Sequence, residues 1–288
     1  MTDFPATLFH LSTAVFMAGN LLGVGLSLRI GETVAGLKDL RFVGWGLFWG
    51  FVIAPALSLL LAWMLRLEAP YATGLVLIGL APCAPFMPVA VQRAKGSLAG
   101  ASSFLLLATA VTVCFVPLVV PRLVPGVPVD ALAIARPLVA LLLLPFATGL
   151  ALRQFSEDLS ARLRRFVKGP TTVATLAMLL LCLYLFRTDI LAAAGSRSLL
   201  ALVLLTAALL SVVWFGSIGL SVEQRSVLSL GVGTRNLGVP FAVLSAVPQP
   251  DPGSIAVIAL AIPVTLIGAA AAAACLAKQK AGRPFPFV

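Results

Sequence analysis

This 288-residue chain is short of charge, and shortest of acids: charged residues make up 10% of it, ten are acidic, and there is a single histidine, His10. Every acid falls in a terminus, a loop or the edge of an apolar run. No Ser-His-Asp set, paired carboxylates or phosphate-binding glycine loop is present, so an enzyme is not expected. The four cysteines, Cys83, Cys114, Cys182 and Cys275, lie inside apolar runs at no metal-ligand spacing. That excludes a disulfide framework and a zinc site, and leaves them as small packing residues. No cofactor or metal is expected. The N-terminal "MTDFPATLFH" lacks the basic stretch of a cleavable leader, so the first apolar run is expected to stay as a span.

Apolar residues dominate what remains. They make up 60% of the chain, with a mean hydropathy of +1.09, against roughly 45–50% in soluble domains. The chain is therefore an integral membrane protein. A bilayer core takes about 20 apolar residues in a helix, and runs of that length lie near 8–28, 41–65, 71–94, 98–121, 132–153, 170–187, 199–221, 224–247 and 254–277. They predict an all-α architecture of nine transmembrane helices within one domain, 1–288. Trp45, Trp49, Trp63 and Trp214 fit core packing or anchoring at the membrane interface.

The formal net charge of +10 is a matter of topology more than of a nucleic-acid partner. With the N-terminus outside, the inner segments collect Arg29, Lys38, Arg41, Arg93, Lys95 and Arg153. They also take Arg162, Arg164, Arg165 and Lys168 of the segment "RLRRFVKG", read as a loop near lipid headgroups, and Arg225, Lys278, Lys280 and Arg283. The outside keeps Arg66, Arg122, Arg136, Arg187 and Arg197. This asymmetry places the N-terminus out and the C-terminus in. No nucleic acid is expected as a partner, and the sequence carries no signal of oligomeric state.

Two runs are punctuated. "APCAPFMPVAVQRAKG" holds Pro82, Pro85 and Pro88, each of which deletes a backbone donor. "LGVGTRNLGVP" holds Gly231, Gly233, Gly238 and Pro240. Unwound backbone survives in a membrane only against protein or a water-filled cavity. The third and eighth runs lie next to last in their halves and cross in opposite senses, the pattern of inverted repeats in a secondary transporter. One half is short by a helix.

"GVGLSL" (23–28), "LVLIGLAPCAPFMPVAVQRAKGSLAGASS" and "EQRSVLSLGVGTRNLG", in that order, resemble the bile acid:sodium symporter family, which includes bacterial carriers of organic anions. The resemblance implies a panel of helices moving against a core with two crossing, discontinuous helices, set in the cytoplasmic (inner) membrane. Sodium-using members bind the ion through polar side chains; the matching positions here are Gly50, Met87, Pro88, Gly231 and Arg235, with Ala101 and Leu105 near the hydroxyl positions. The resemblance thus implies degenerate sodium sites and sodium-independent transport.

Arg235 stands ten residues past Arg225, about 15 Å along a helix and so near mid-membrane. Insertion scales charge about 2.5–3.5 kcal/mol for an arginine there, so it is expected to face a cavity. Its planar fork suits carboxylate, sulfonate or phosphate. A small organic anion is therefore the expected substrate, alongside membrane lipid as surroundings. Candidate contacts are Gly233, Thr234, Arg235 and Asn236 at the second break, and Pro85, Phe86, Met87 and Pro88 at the first. Thr13 and Asn20 are expected to bond between helices, with a polar wall of the cavity as their alternative role. The alternatives are a static role for Arg235 tying down broken-helix carbonyls, a sodium- or proton-coupled symporter, and a transport-inactive receptor.

Overall fold

A computed structural model describes residues 4–124 and 130–280; Arg283 and the side chain of Lys280, expected on the inner side, lie outside the described residues. Among the latter the chain is helical with no strand. Seven helices are long and apolar enough to cross a membrane: α1 (Phe4–Gly25), α3 (Leu40–Met64), α6 (Leu98–Leu123), α7 (Ala131–Phe155), α8 (Glu157–Leu185), α10 (Arg197–Gly216) and α13 (Pro252–Lys280). The short helix α2 (Ile30–Ala35) links α1 to α3, and α9 (Arg187–Gly195) links α8 to α10.

The two punctuated runs are each two shorter helices. The third is α4 (Ala69–Gly79) and α5 (Met87–Arg93); the eighth is α11 (Val222–Gly233) and α12 (Gly238–Ser245). The prolines divide their work. Pro82 and Pro85 lie in the unwound stretch, whereas Pro88 sits in the first turn of α5, where its missing N–H would have had no helical partner anyway. Pro240 likewise falls near the start of α12.

Other boundaries follow local chemistry. Ser97 caps α6 and Ser156 caps α8, each accepting a backbone N–H from its first turn, while Ser221 and Gln224 form a capping box on α11. The cap at Ser156 corrects one expectation. "RLRRFVKG" is not a loop but part of the first turns of α8, which starts well before residue 170 because a serine cap and two first-turn acids, Glu157 and Asp158, open it. Widened π-turns at 48–53 in α3 and 139–143 in α7 immediately precede Pro55 and Pro145. A proline ring collides with the carbonyl four residues back, and widening the turn relieves that contact.

α1, α7 and α8 pack on one another as a three-helix panel. The remaining spans form a core in which α13 packs on α4 and α10, and α11 packs on α10. The connections expected on one side of the membrane meet one another. Arg29 pairs with Glu157 at 3.0 Å, Arg153 pairs with the same carboxylate, and Gln224 donates to Asp39 at 2.6 Å. On the opposite side Arg197 donates to the Leu65 carbonyl at 3.2 Å.

Candidate functional site

The two unwound stretches cross as a single antiparallel bridge between Pro82 and Arg235. The Cys83 N–H donates to the Thr234 carbonyl at 3.0 Å, and the Asn236 N–H donates to the Ala81 carbonyl at 2.9 Å. Backbone that leaves a helix inside apolar surroundings needs partners; here each break supplies the other's. Proline at 82 loses nothing, because a residue centred in such a bridge donates no bond across it. Thr234, fully buried, locks the crossing: its hydroxyl donates to the Leu230 carbonyl at 2.7 Å and lies 3.4 Å from the Ala84 N–H.

The crossing lies near the middle of both broken helices. At 1.5 Å per residue the 12 residues of α11 rise about 18 Å and the 8 of α12 about 12 Å, together close to a 30 Å hydrocarbon core.

Arg235 is 2% exposed. One guanidinium nitrogen, Nη1, reaches the Gly79 carbonyl at 3.5 Å, at the C-terminal and partly negative end of α4. Nε and Nη2 have no partner among the described residues, and no acid in those residues pairs with Arg235. The side chain borders a cavity of about 240 Å3 between panel and core. Phe16 and Asn20 of α1 and Thr175 and Met178 of α8 form the panel wall; Phe241 of α12 and Thr265 of α13 belong to the core wall. The lining residues are apolar but for Asn20, Asn236, Thr175, Thr265 and Arg235.

Of the eight residues singled out in the sequence, Pro85, Phe86, Arg235 and Asn236 line this cavity. Gly233, Thr234, Met87 and Pro88 do not: Thr234 is spent on the crossing, Met87 is fully buried, and Gly233 faces Leu210. The inter-helix bonds expected of Thr13 and Asn20 are not formed. Both donate to carbonyls four residues back in α1, at 2.7 and 2.8 Å, the nearest acceptors in apolar surroundings. Phe16, Thr175, Met178 and Thr265 were not legible as site residues, since nothing in the sequence joins α1, α8 and α13 to the breaks.

The positions that the sequence resemblance pairs with sodium ligands are packed with hydrocarbon. Met87, Ala101 and Leu105 are fully buried. A side chain at Gly50 would start 3.4 Å from the Pro82 ring. One at Gly231 would start 2.4 Å from Cδ1 of Phe104, a fully buried ring that also presses against Gly46. Phe104 is the filler here, and without the fold it is one phenylalanine among seventeen. Among the described residues no cluster of His, Cys, Asp or Glu is arranged to hold a metal.

Comparison with known proteins places this architecture. A family model described as the sodium bile acid symporter family matches residues 14–194, a stretch that includes the first break. The chain is similar, at 26% identity over 249 residues, to "Probable sodium/metabolite cotransporter BASS2, chloroplastic" of Oryza sativa subsp. japonica, covering 83% of this chain and 58% of that protein. It is similar at the same identity, over 82% of its own length and 61% of the other's, to "Probable sodium/metabolite cotransporter BASS1, chloroplastic" of Arabidopsis thaliana. The chain thus spans about three-fifths of the length of these curated relatives. With the family match extending over more than half of it, the chain belongs to the sodium bile acid symporter family, whose members are membrane transporters and not enzymes.

Proposed function

We propose that the chain is a secondary transporter of a small organic anion, working by alternating access, in which Arg235 holds the positive charge that sodium supplies in relatives. The observation that carries this reading is Arg235 itself: a residue that lines the cavity, 2% exposed, with two guanidinium donors unpartnered among the described residues. A buried cation without a counter-ion is costly, and an entering carboxylate or sulfonate offers both the charge and the two acceptors it lacks. The volume of about 240 Å3 suits a small ligand with an apolar body.

Sodium independence rests on the packing around the sodium-ligand positions. Sodium needs several oxygens, and side chains at Met87, Leu105 and Phe104 supply none while filling the space. The names of the two relatives include sodium, so coupling to it is the competing reading. Counting each broken pair as one crossing gives nine spans. With the Arg29, Arg153 and Arg162 end facing the basic side of the membrane, the N-terminus lies outside and the C-terminus inside. A cytoplasmic membrane is the setting this reading takes. The cavity lies between panel and core, so rocking of one against the other would open it to alternate sides.

The test is uptake of small carboxylates and sulfonates into proteoliposomes with external sodium replaced by choline. Unchanged uptake is expected. Loss of uptake in choline would establish sodium coupling and overturn this reading of the packed positions.

A further inference from the structure

A second cavity lies in the panel, away from the crossing. It is a shallow, open groove of about 620 Å3 between α1, α7 and α8, lined among others by Ala18, Leu22, Pro145, Thr148, Phe166 and Pro170. α1 contributes its second half and α8 its first. The groove therefore occupies the part of the panel nearer the Arg29–Glu157–Arg153 cluster, and its walls are hydrocarbon apart from a few threonine hydroxyls.

At that end α8 carries Arg162, Arg164, Arg165 and Lys168, all exposed. Arg162 stands one helical turn before Phe166 and two before Pro170, and Arg164 one turn before Val167 and two before Thr171, so the two cations edge the face that lines the groove. Among the described residues none of these four cations forms an ion pair, in contrast to Arg29 and Arg153, which share Glu157. Two exposed phenylalanines accompany the basic row, Phe155 before it at 87% exposure and Phe166 within it at 77%. Exposed aromatic rings beside unpaired cations, above an open apolar groove, make one continuous surface of two chemistries.

We infer that this surface binds one anionic phospholipid of the leaflet on that side, with an acyl chain in the groove between α1, α7 and α8 and its phosphate on the basic row of α8. Apolar walls select hydrocarbon, and the unpaired cations, Arg162 and Arg164 nearest the groove, select a phosphate headgroup without added positive charge. A second copy of the chain is a poorer occupant, since it would bring its own basic row against this one. A lipid held there touches all three panel helices and none of the crossing, so it acts on the panel as a body and not on the anion cavity.

The test uses the full chain in detergent, given equal amounts of phosphatidylglycerol and phosphatidylcholine with the same acyl chains, with retained lipid read by native mass spectrometry. Preferential retention of one phosphatidylglycerol per chain is expected. Arg162→Gln with Arg164→Gln should weaken it on the order of twentyfold, because each basic residue beside anionic lipid counts for roughly fivefold. Ala18→Phe, which fills the groove and leaves the charge untouched, should weaken it too, and glycerol phosphate, a headgroup without chains, should not displace the lipid. Equal retention of the two lipids, or phosphatidylglycerol retention unmoved by either variant, would overturn the inference. So would an Ala18→Phe protein that loses a dimer and keeps its lipid.

Discussion

Gly231→Ala sets two known effects against each other in one methyl group. Inside a helix alanine is favoured over glycine by about 0.8–1.0 kcal/mol. Against this, the added carbon would stand 2.4 and 2.5 Å from Cδ1 and Cε1 of Phe104, closer than real contacts allow. The ring has no retreat: it is fully buried, lies 2.8 Å from where a Gly46 side chain would begin, and meets Phe42 edge to face with centroids 6.3 Å apart. Overpacking of a fixed core costs about 1–3 kcal/mol, so the collision wins and Gly231→Ala should be destabilising. Phe104→Ala alone should cost about 3–5 kcal/mol through the void it leaves. In the double variant the methyl enters that void, and the two effects should fall short of their sum by about 1–3 kcal/mol. A double-mutant cycle on purified protein, by denaturant unfolding in detergent, measures this shortfall. Simple additivity, or a Gly231→Ala protein more stable than the parent, would refute the idea that Phe104 occupies the ligand space. The same geometry forbids placing an acid at 231 while the ring stays in place.

Two further outcomes follow from the geometry. Thr234→Val removes the hydroxyl that bonds the Leu230 carbonyl at 2.7 Å, and should cost about 0.5–1.5 kcal/mol in unfolding free energy, with a larger loss of uptake if the crossing shifts. Glu157 accepts from Arg29 and Arg153, and these hydrogen bonds, Arg29's foremost, hold its carboxyl below its usual 4.5. Its contribution to stability is therefore complete above that value and is lost as pH falls through the lowered one. Glu157→Gln should flatten this acid limb, read as melting temperature between about pH 6 and about pH 3, and an unchanged limb would remove the cluster from the panel's stability.

The helical membrane architecture was legible because hydrophobic run length alone reports it, and the two breaks because proline and glycine act locally. Arg235 stood out for the same reason: a lone cation in hydrocarbon has to be accounted for where it sits. The start of α8 was misjudged because four basic residues in seven look like a loop, while the cap at Ser156 acts from outside the run. The panel wall of the cavity was hidden because Thr175, Met178 and Thr265 come from spans that stay continuous through their single prolines, Pro170 and Pro263, and meet the crossing only through packing. Thr234, flanking the arginine, looked equally suited to a ligand, but the Leu230 carbonyl of its own helix and the Ala84 N–H across the bridge claim its hydroxyl.

The most direct measurement is the thermal stability of Arg235→Gln beside the parent protein, without ligand and with a panel of small carboxylates and sulfonates. A guanidinium awaiting an anion is a liability in the empty protein, since among the described residues Nε and Nη2 lack partners and Nη1 has a single contact at 3.5 Å. The variant should therefore melt no lower than the parent when empty and lose the stabilisation that an anion confers on the parent. A variant that melts well below the parent yet keeps its anion-induced shift would show Arg235 to be a structural tie, and would contradict the assignment of the substrate's charge to this residue.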